Sequence, residues 1–147
     1  MKLASPAFEN NKYIPSKYTC DGANVSPPLS ISDAPKKTKS FVLIVNDPDA
    51  VKEGGWLHWT VLNIPPNTEG IGEGSAPDGS AQGRTDFKNI GYGGPCPSNG
   101  AHHYEFMLYA LDAILNLDAA AGKKDIEKAM DGHILAQDLL VGLYKRN

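Results

Sequence analysis

The stretch Gly91–Tyr104, GYGGPCPSNGAHHY, constrains this chain more than any other. Its fourteen residues hold four glycines, two prolines, one cysteine, two histidines and two tyrosines. Proline fixes φ and removes a backbone donor, and glycine opens conformations closed to other residues. Neither a helix nor a central strand survives that density, so the stretch reads as a stiff, shaped loop. It leads into AHHYEFMLYALD, which has a strand pattern. There His102, Tyr104 and Phe106 share one face, and His103, Glu105 and Met107 the other. An imidazole and a phenol then stand side by side at a strand entrance, beside a rigid loop. That is how a small binding site is built; the competing reading is an ordinary surface turn.

The rest of the chain is punctuated in the same way. Fifteen glycines and eleven prolines in 147 residues predict a β-rich domain with many connections. Ser40–Asn46, SFVLIVN, is a continuous apolar run with the length and flanks of a buried strand. It stops at Asp47-Pro48, which leaves Asp47 at the sheet rim. Trp56–Ile64 is the next strand. Alternation predicts Trp56, His58, Thr60 and Leu62 on one face and Leu57, Trp59, Val61 and Asn63 on the other. Shorter strands are expected near Leu3–Phe8 and at Leu29–Ser32. Residues 67–90 form a long polar excursion, locally ordered around Ala81–Phe87. Lys124–Met130 suits a short helix, with Gly132 as its C-terminal cap. Ala136–Lys145 reads as a strand because Gly142 weakens a helix there. The sum is one domain over residues 1–147, mainly β, with one or two short helices, and a sandwich is the architecture expected.

Charge and leader signals exclude several classes. Fourteen Lys and Arg against seventeen Asp and Glu give a net charge of −3, with no basic run beyond adjacent pairs. A broad nucleic-acid or anionic-membrane surface is therefore not expected. The N-terminus carries no apolar core of signal-peptide length, and no stretch approaches the ~18 apolar residues of a membrane span. A cytoplasmic location is the expectation. Cys20 and Cys96 make neither a CxxC pair nor a disulfide framework, and are expected as two free, partly buried thiols.

Four residues could carry chemistry: Asp47, His58, His102 and Tyr104, each near a strand end. If they converge, three chemistries compete. An anion pocket would use N–H donors of the imidazoles, the Tyr104 hydroxyl and backbone N–H groups of the Gly93-Gly94-Pro95 loop, with Asp47 orienting one ring. A metal site of two histidines and a carboxylate lacks any recognised spacing. Acid–base or nucleophilic catalysis would use a histidine as base, but no GxSxG is present and Cys96 sits between two prolines. His133, after Gly132, is expected to serve a helix end. His103 is expected to face solvent or an interface.

Taken together, the motifs resemble the phosphatidylethanolamine-binding protein family, in its short bacterial and archaeal branch. They are CDGANVSPPL at 20–29, KSFVLIVNDPDA at 39–50, WLHW at 56–59, NIP at 63–65, GYGGPCP at 91–97, GAHHYEFMLYALD at 100–112 and GHILAQDLLVGLYKR at 132–146. The resemblance implies two antiparallel sheets in a Greek-key β-sandwich with short peripheral helices. It also implies a small anion pocket lined by Asp47, Trp56, His58, Gly94, Pro95, His102 and Tyr104. Its ligands would be phosphate, carboxylate or a phosphorylethanolamine-like head group, with no catalytic residue, metal or cofactor. The alternative is an interaction module that inhibits a kinase or protease through the pocket rim and residues 67–90; a phosphate-ester hydrolase or lyase ranks below both. A homodimer is compatible with the branch. Three departures stand out: Val51 follows DPDA where the family has Pro, Cys96 occupies a position where Pro is frequent, and His103 replaces the Arg of GxHRY. The last removes a permanent charge, so a carboxylate bond made by that Arg would become pH-dependent or vanish.

Overall fold

The computed structural model describes residues 1–147. Its elements are β1 (Lys2–Ala4), β2 (Lys12–Tyr13), a 3-10 turn (Ser16–Tyr18), β3 (Leu29–Ser32), β4 (Ser40–Asp47), β5 (Trp56–Ile64), β6 (Gly70–Ile71), β7 (Ala81–Gln82), β8 (His102–Leu111), α1 (Lys123–Met130) and β9 (Ile134–Tyr144). Six strands form the larger sheet in the order β2-β9-β8-β4-β5-β7, and three form the smaller, β1-β3-β6. The β2–β9 pair, two residues long, is parallel; this corrects the expectation of two wholly antiparallel sheets. The fold is mainly β, with one α-helix.

The apolar run of β4 is buried along its whole length because both faces of the strand are covered. Phe41, Leu43 and Val45 join a 19-residue cluster that also takes Leu3, Leu29, Ile31 and Ile71 from the smaller sheet. Val42 and Ile44 point the other way, into a 9-residue cluster completed by Ile126 and Met130 of α1. Gly132 follows the helix at φ 82°, the left-handed turn its sequence position predicted.

Strand β5 departs from simple alternation. Val45 pairs with Trp59 and Asn46 with Leu57, so His58 is an extra residue in a β-bulge. Leu57 therefore packs under α1, whereas Trp59 packs between the sheets, although alternation put them on one face. A second irregularity lies where Phe41 and Leu43 oppose Ile64 and Val61. Asn63 there takes φ 55° and exchanges two hydrogen bonds with the Leu115 backbone, at 2.8 and 2.9 Å.

Strand β1 ends at Ala4, short of the expected Phe8, because Ser5-Pro6 interrupts pairing, yet Phe8 is still buried. The excursion 67–90 is an ordered strap. Gln82 accepts from Trp59 Nε1 at 2.7 Å, and Asp86 accepts from the Leu57 N–H at 2.7 Å.

The expectation of free thiols is wrong. Cys20 and Cys96 form a disulfide, with Cα atoms 5.4 Å apart. The loop at 91–97 folds back over the segment at 16–24 and is stitched to it. Cys20 N–H donates to Pro95 O at 3.1 Å, Gly94 N–H to Asn24 Oδ1 at 2.9 Å, and the Tyr92 hydroxyl to Tyr18 O at 2.7 Å. With the thiols gone, cysteine usage no longer argues for a reducing compartment. No helix is long and apolar enough to cross a membrane.

Candidate functional site

Strand β4 ends where β5 and β8 begin, so three strand ends meet at one end of the larger sheet. The bulge in β5 turns His58 toward the core face there. Asp47, Trp56, His58, His102 and Tyr104 consequently converge on a cleft of about 470 Å³. Its remaining wall comes from Asp49, Ala50 and Val51 after β4, Phe87 of the strap, and Cys96–Asn99 of the stiff loop.

Each histidine is fixed through Nδ1. His58 Nδ1 lies 2.6 Å from Gly93 O, and a carbonyl can only accept, so Nδ1 carries the proton. His102 Nδ1 lies 2.6 Å from Asp47 Oδ2, with both side chains largely buried. The Nε2 atoms are left to serve the cleft. Tyr104 stands between the rings, its centroid 5.2 Å from that of His58 and 6.4 Å from that of His102. Phe87 packs edge-on against His58 and Trp56, at 5.2 and 5.5 Å.

The electrostatics are unusual for an anion site because no Lys or Arg lines the cleft. Lys52 lies 5.9 Å from the Trp56 ring centroid, and it is paired with Asp86 at 2.6 Å. Burial holds the His58 pKa below its ordinary 6.5, outweighing the Gly93 carbonyl and the Asp47 and Asp86 carboxylates. Burial, with help from Asp47 and Asp49, pushes the Tyr104 phenol well above its ordinary 10, so it keeps its O–H. That hydroxyl and the Trp56 Nε1–H are both buried without a partner in the protein.

Two expected site residues stand behind the cleft. Gly94 and Pro95 are absent from its wall, and the Gly93 and Gly94 N–H groups are spent on His58 O and Asn24 Oδ1. The predicted backbone donors are thus unavailable. Gly94 is required for a different reason: a Cβ there would collide with Asn24 Oδ1 and Tyr18 O. The loop acts by presenting the Gly93 carbonyl to His58. No group of three or more His, Cys, Asp or Glu converges as metal ligands. His103 is exposed as expected, but its N–H and ring Nδ1 both meet Asp49 Oδ2 at 2.7 Å, holding the Asp49 carboxyl below its usual range. His133 closes the helix end through its N–H to Met130 O, and its ring pairs with Asp112 at 2.8 Å.

Because His58 is buried neutral, its linkage to folding has a definite sign. The unfolded chain takes up a proton near pH 6.5 that the native chain refuses until lower pH. The associated stability is fully present above pH 6.5 and is lost as pH falls from there. His58→Gln is expected to flatten the decline in urea-denaturation free energy between about pH 6.5 and about pH 5. An unchanged slope in the variant would remove His58 as its source.

The fold is mainly β, with an imidazole-lined cleft at the strand ends of its larger sheet. The family model described as phosphatidylethanolamine-binding protein matches residues 4–145; the chain belongs to that family. It is 49% identical to a UPF0098 protein of Methanothermobacter thermautotrophicus, over 99% of each chain. It is 51% identical to one of Pyrococcus horikoshii, over 97% of this chain and 75% of that one. Among solved structures, a Chlamydia trachomatis protein described as a putative phosphatidylethanolamine-binding protein homolog superposes with TM-score 0.94 at 44% identity, covering 99% of this chain and 97% of that one. YbcL of E. coli, described as a new member of the mammalian family, superposes at 0.92 with 30% identity, covering 99% and 98%.

Proposed function

We propose that the cleft binds a small oxyanion group without transforming it: phosphate, a phosphomonoester, a carboxylate or a phosphorylethanolamine-like head group. One observation carries the reading. Both histidines are locked through Nδ1 to protein acceptors, which commits both Nε2 atoms to the same cleft. Two of the three buried side-chain groups without partners, Tyr104 O–H and Trp56 Nε1–H, belong to residues of the cleft wall and add to it, since such groups are costly unless a ligand meets them. The family's description as binding proteins points the same way.

Lacking a lysine or arginine, the cleft wall has no fixed positive charge. Titration calorimetry with inorganic phosphate and O-phosphorylethanolamine is expected to show saturable binding, tighter at about pH 6 than at about pH 8. No binding at millimolar ligand at either pH overturns the reading.

A second reading has one observation of its own. Val51 is fully exposed and Phe87 is 38% exposed, and both are apolar and stand at the cleft rim. As an interaction module, the protein would use this rim and the strap 67–90 against a protein such as a kinase or protease. Partner binding that survives His102→Ala but not Val51→Asp would favour it.

A further inference from the structure

We infer that the cleft selects oxyanions that bring their own proton: His58 accepts a hydrogen bond from the ligand, so singly protonated phosphate and phosphomonoesters are bound and sulfate and its esters are rejected. The inference rests on the oxyanion reading above and narrows its ligand class.

The geometry of one ring carries it. A neutral imidazole has one N–H and one lone pair. The Gly93 carbonyl, 2.6 Å from Nδ1, fixes the N–H at Nδ1, and the lone pair therefore sits on Nε2. Making Nε2 a donor requires a second proton on a ring that is 3% exposed. Around that ring, Asp47 of β4 and Asp86 of the strap favour the added charge, while Tyr104 of β8 and Phe87 bring none. Burial opposes it and is the largest influence. His102, across Tyr104, already has Asp47 on its Nδ1. No lysine or arginine is available in the wall to hold a bare dianion.

A fully deprotonated oxygen set against the His58 lone pair is left unpaired and repelled, which costs as much as any buried unmade hydrogen bond. A ligand with one acidic O–H meets the site differently. Its hydroxyl donates to His58 Nε2. Its bare oxygens accept from Tyr104 O–H and from Trp56 Nε1–H, beside the His102–Asp47 pair. One acceptor and two donors match a phosphomonoester monoanion.

Methyl phosphate and methyl sulfate test this directly. At about pH 5.5 both are monoanions of one shape, because the second phosphate pKa is about 6; they differ by one proton. Calorimetry on the full chain is expected to give methyl phosphate at least ~10-fold the affinity of methyl sulfate, the size of one unmade hydrogen bond in a buried site. By about pH 8 methyl phosphate has lost its proton, and its binding should draw about one proton from the buffer, read from buffers of differing ionisation enthalpy. His58→Gln, whose amide can turn either an N–H or an oxygen to the ligand, is expected to reduce the preference to within about 2-fold. Equal affinity for the two esters at pH about 5.5 overturns the selection and leaves the oxyanion reading standing. A preference that persists in His58→Gln overturns the role of His58. No binding of either ester overturns the oxyanion reading itself.

Discussion

A Cys20→Ser/Cys96→Ser double variant is expected to lose roughly 2–4 kcal/mol of stability. The bond joins residues 76 apart, so it removes a large loop's worth of freedom from the unfolded chain, where most of such an effect arises. The cleft should change less than the stability. Cys96 is in its wall, but the loop is also held by Cys20 N–H to Pro95 O, Gly94 N–H to Asn24 and Tyr92 to Tyr18 O. Those bonds keep the Gly93 carbonyl against His58 when the sulfurs separate. Urea denaturation with and without reductant measures the first effect, and phosphate titration of the double variant the second. Unchanged stability would mean the bond does not restrict the chain. A large loss of phosphate affinity at unchanged fold would mean that it shapes the cleft directly.

The legible and illegible parts of this molecule divide by range. Strand β4 was readable because five apolar residues in a row, Phe41–Val45, followed by Asn-Asp-Pro, admit few other structures. Asp47 and His102 were readable as candidates because each sits at a strand end, and both line the cleft. Their 2.6 Å contact was not, since it depends on β4 and β8 being neighbours. The bulge at His58 left no mark, because WLHW alternates as well as any regular strand. Only the pairing with β4 shows that Leu57 and Trp59 part company. Proline on each side of Cys96 was a true sign of a shaped loop, but it could not say that Cys20 lay under it. Gly94 and Pro95 lie in the loop that was chosen but outside the cleft wall; they hold the loop in place, and its Gly93 carbonyl meets the His58 ring. Phe87 was hidden in a polar stretch, and a lone aromatic in such a stretch was its only signal. Asp49 stood in plain view in DPDA, two residues past Asp47, and its partner His103 was the very position where the family pattern was broken.

His102→Ala is expected to weaken phosphate binding about 10- to 100-fold, the range of one or two charge-assisted hydrogen bonds. Truncation removes the ring from the cleft wall and also leaves Asp47, 4% exposed, without the ring it faces. Asp47 keeps one local bond, from the Asp49 N–H to Oδ1 at 2.8 Å, while Oδ2 loses its partner. A buried, half-paired carboxylate beside the ligand then repels the anion that the ring used to attract. Asp47→Asn separates these two effects. The amide oxygen can still accept from His102 Nδ1 and hold the same tautomer, but the charge that balances a protonated ring is gone. Relative to the wild type, its binding is expected to fall further at about pH 6 than at about pH 8, the interval in which imidazoles as a class gain charge. His102→Ala should fail at both. If Asp47→Asn and wild type show the same pH dependence, Asp47 positions the ring and nothing more. If His102→Ala binds phosphate as the wild type does, the oxyanion is not held by this ring, and the exposed rim around Val51 and Phe87 becomes the part of the cleft to test.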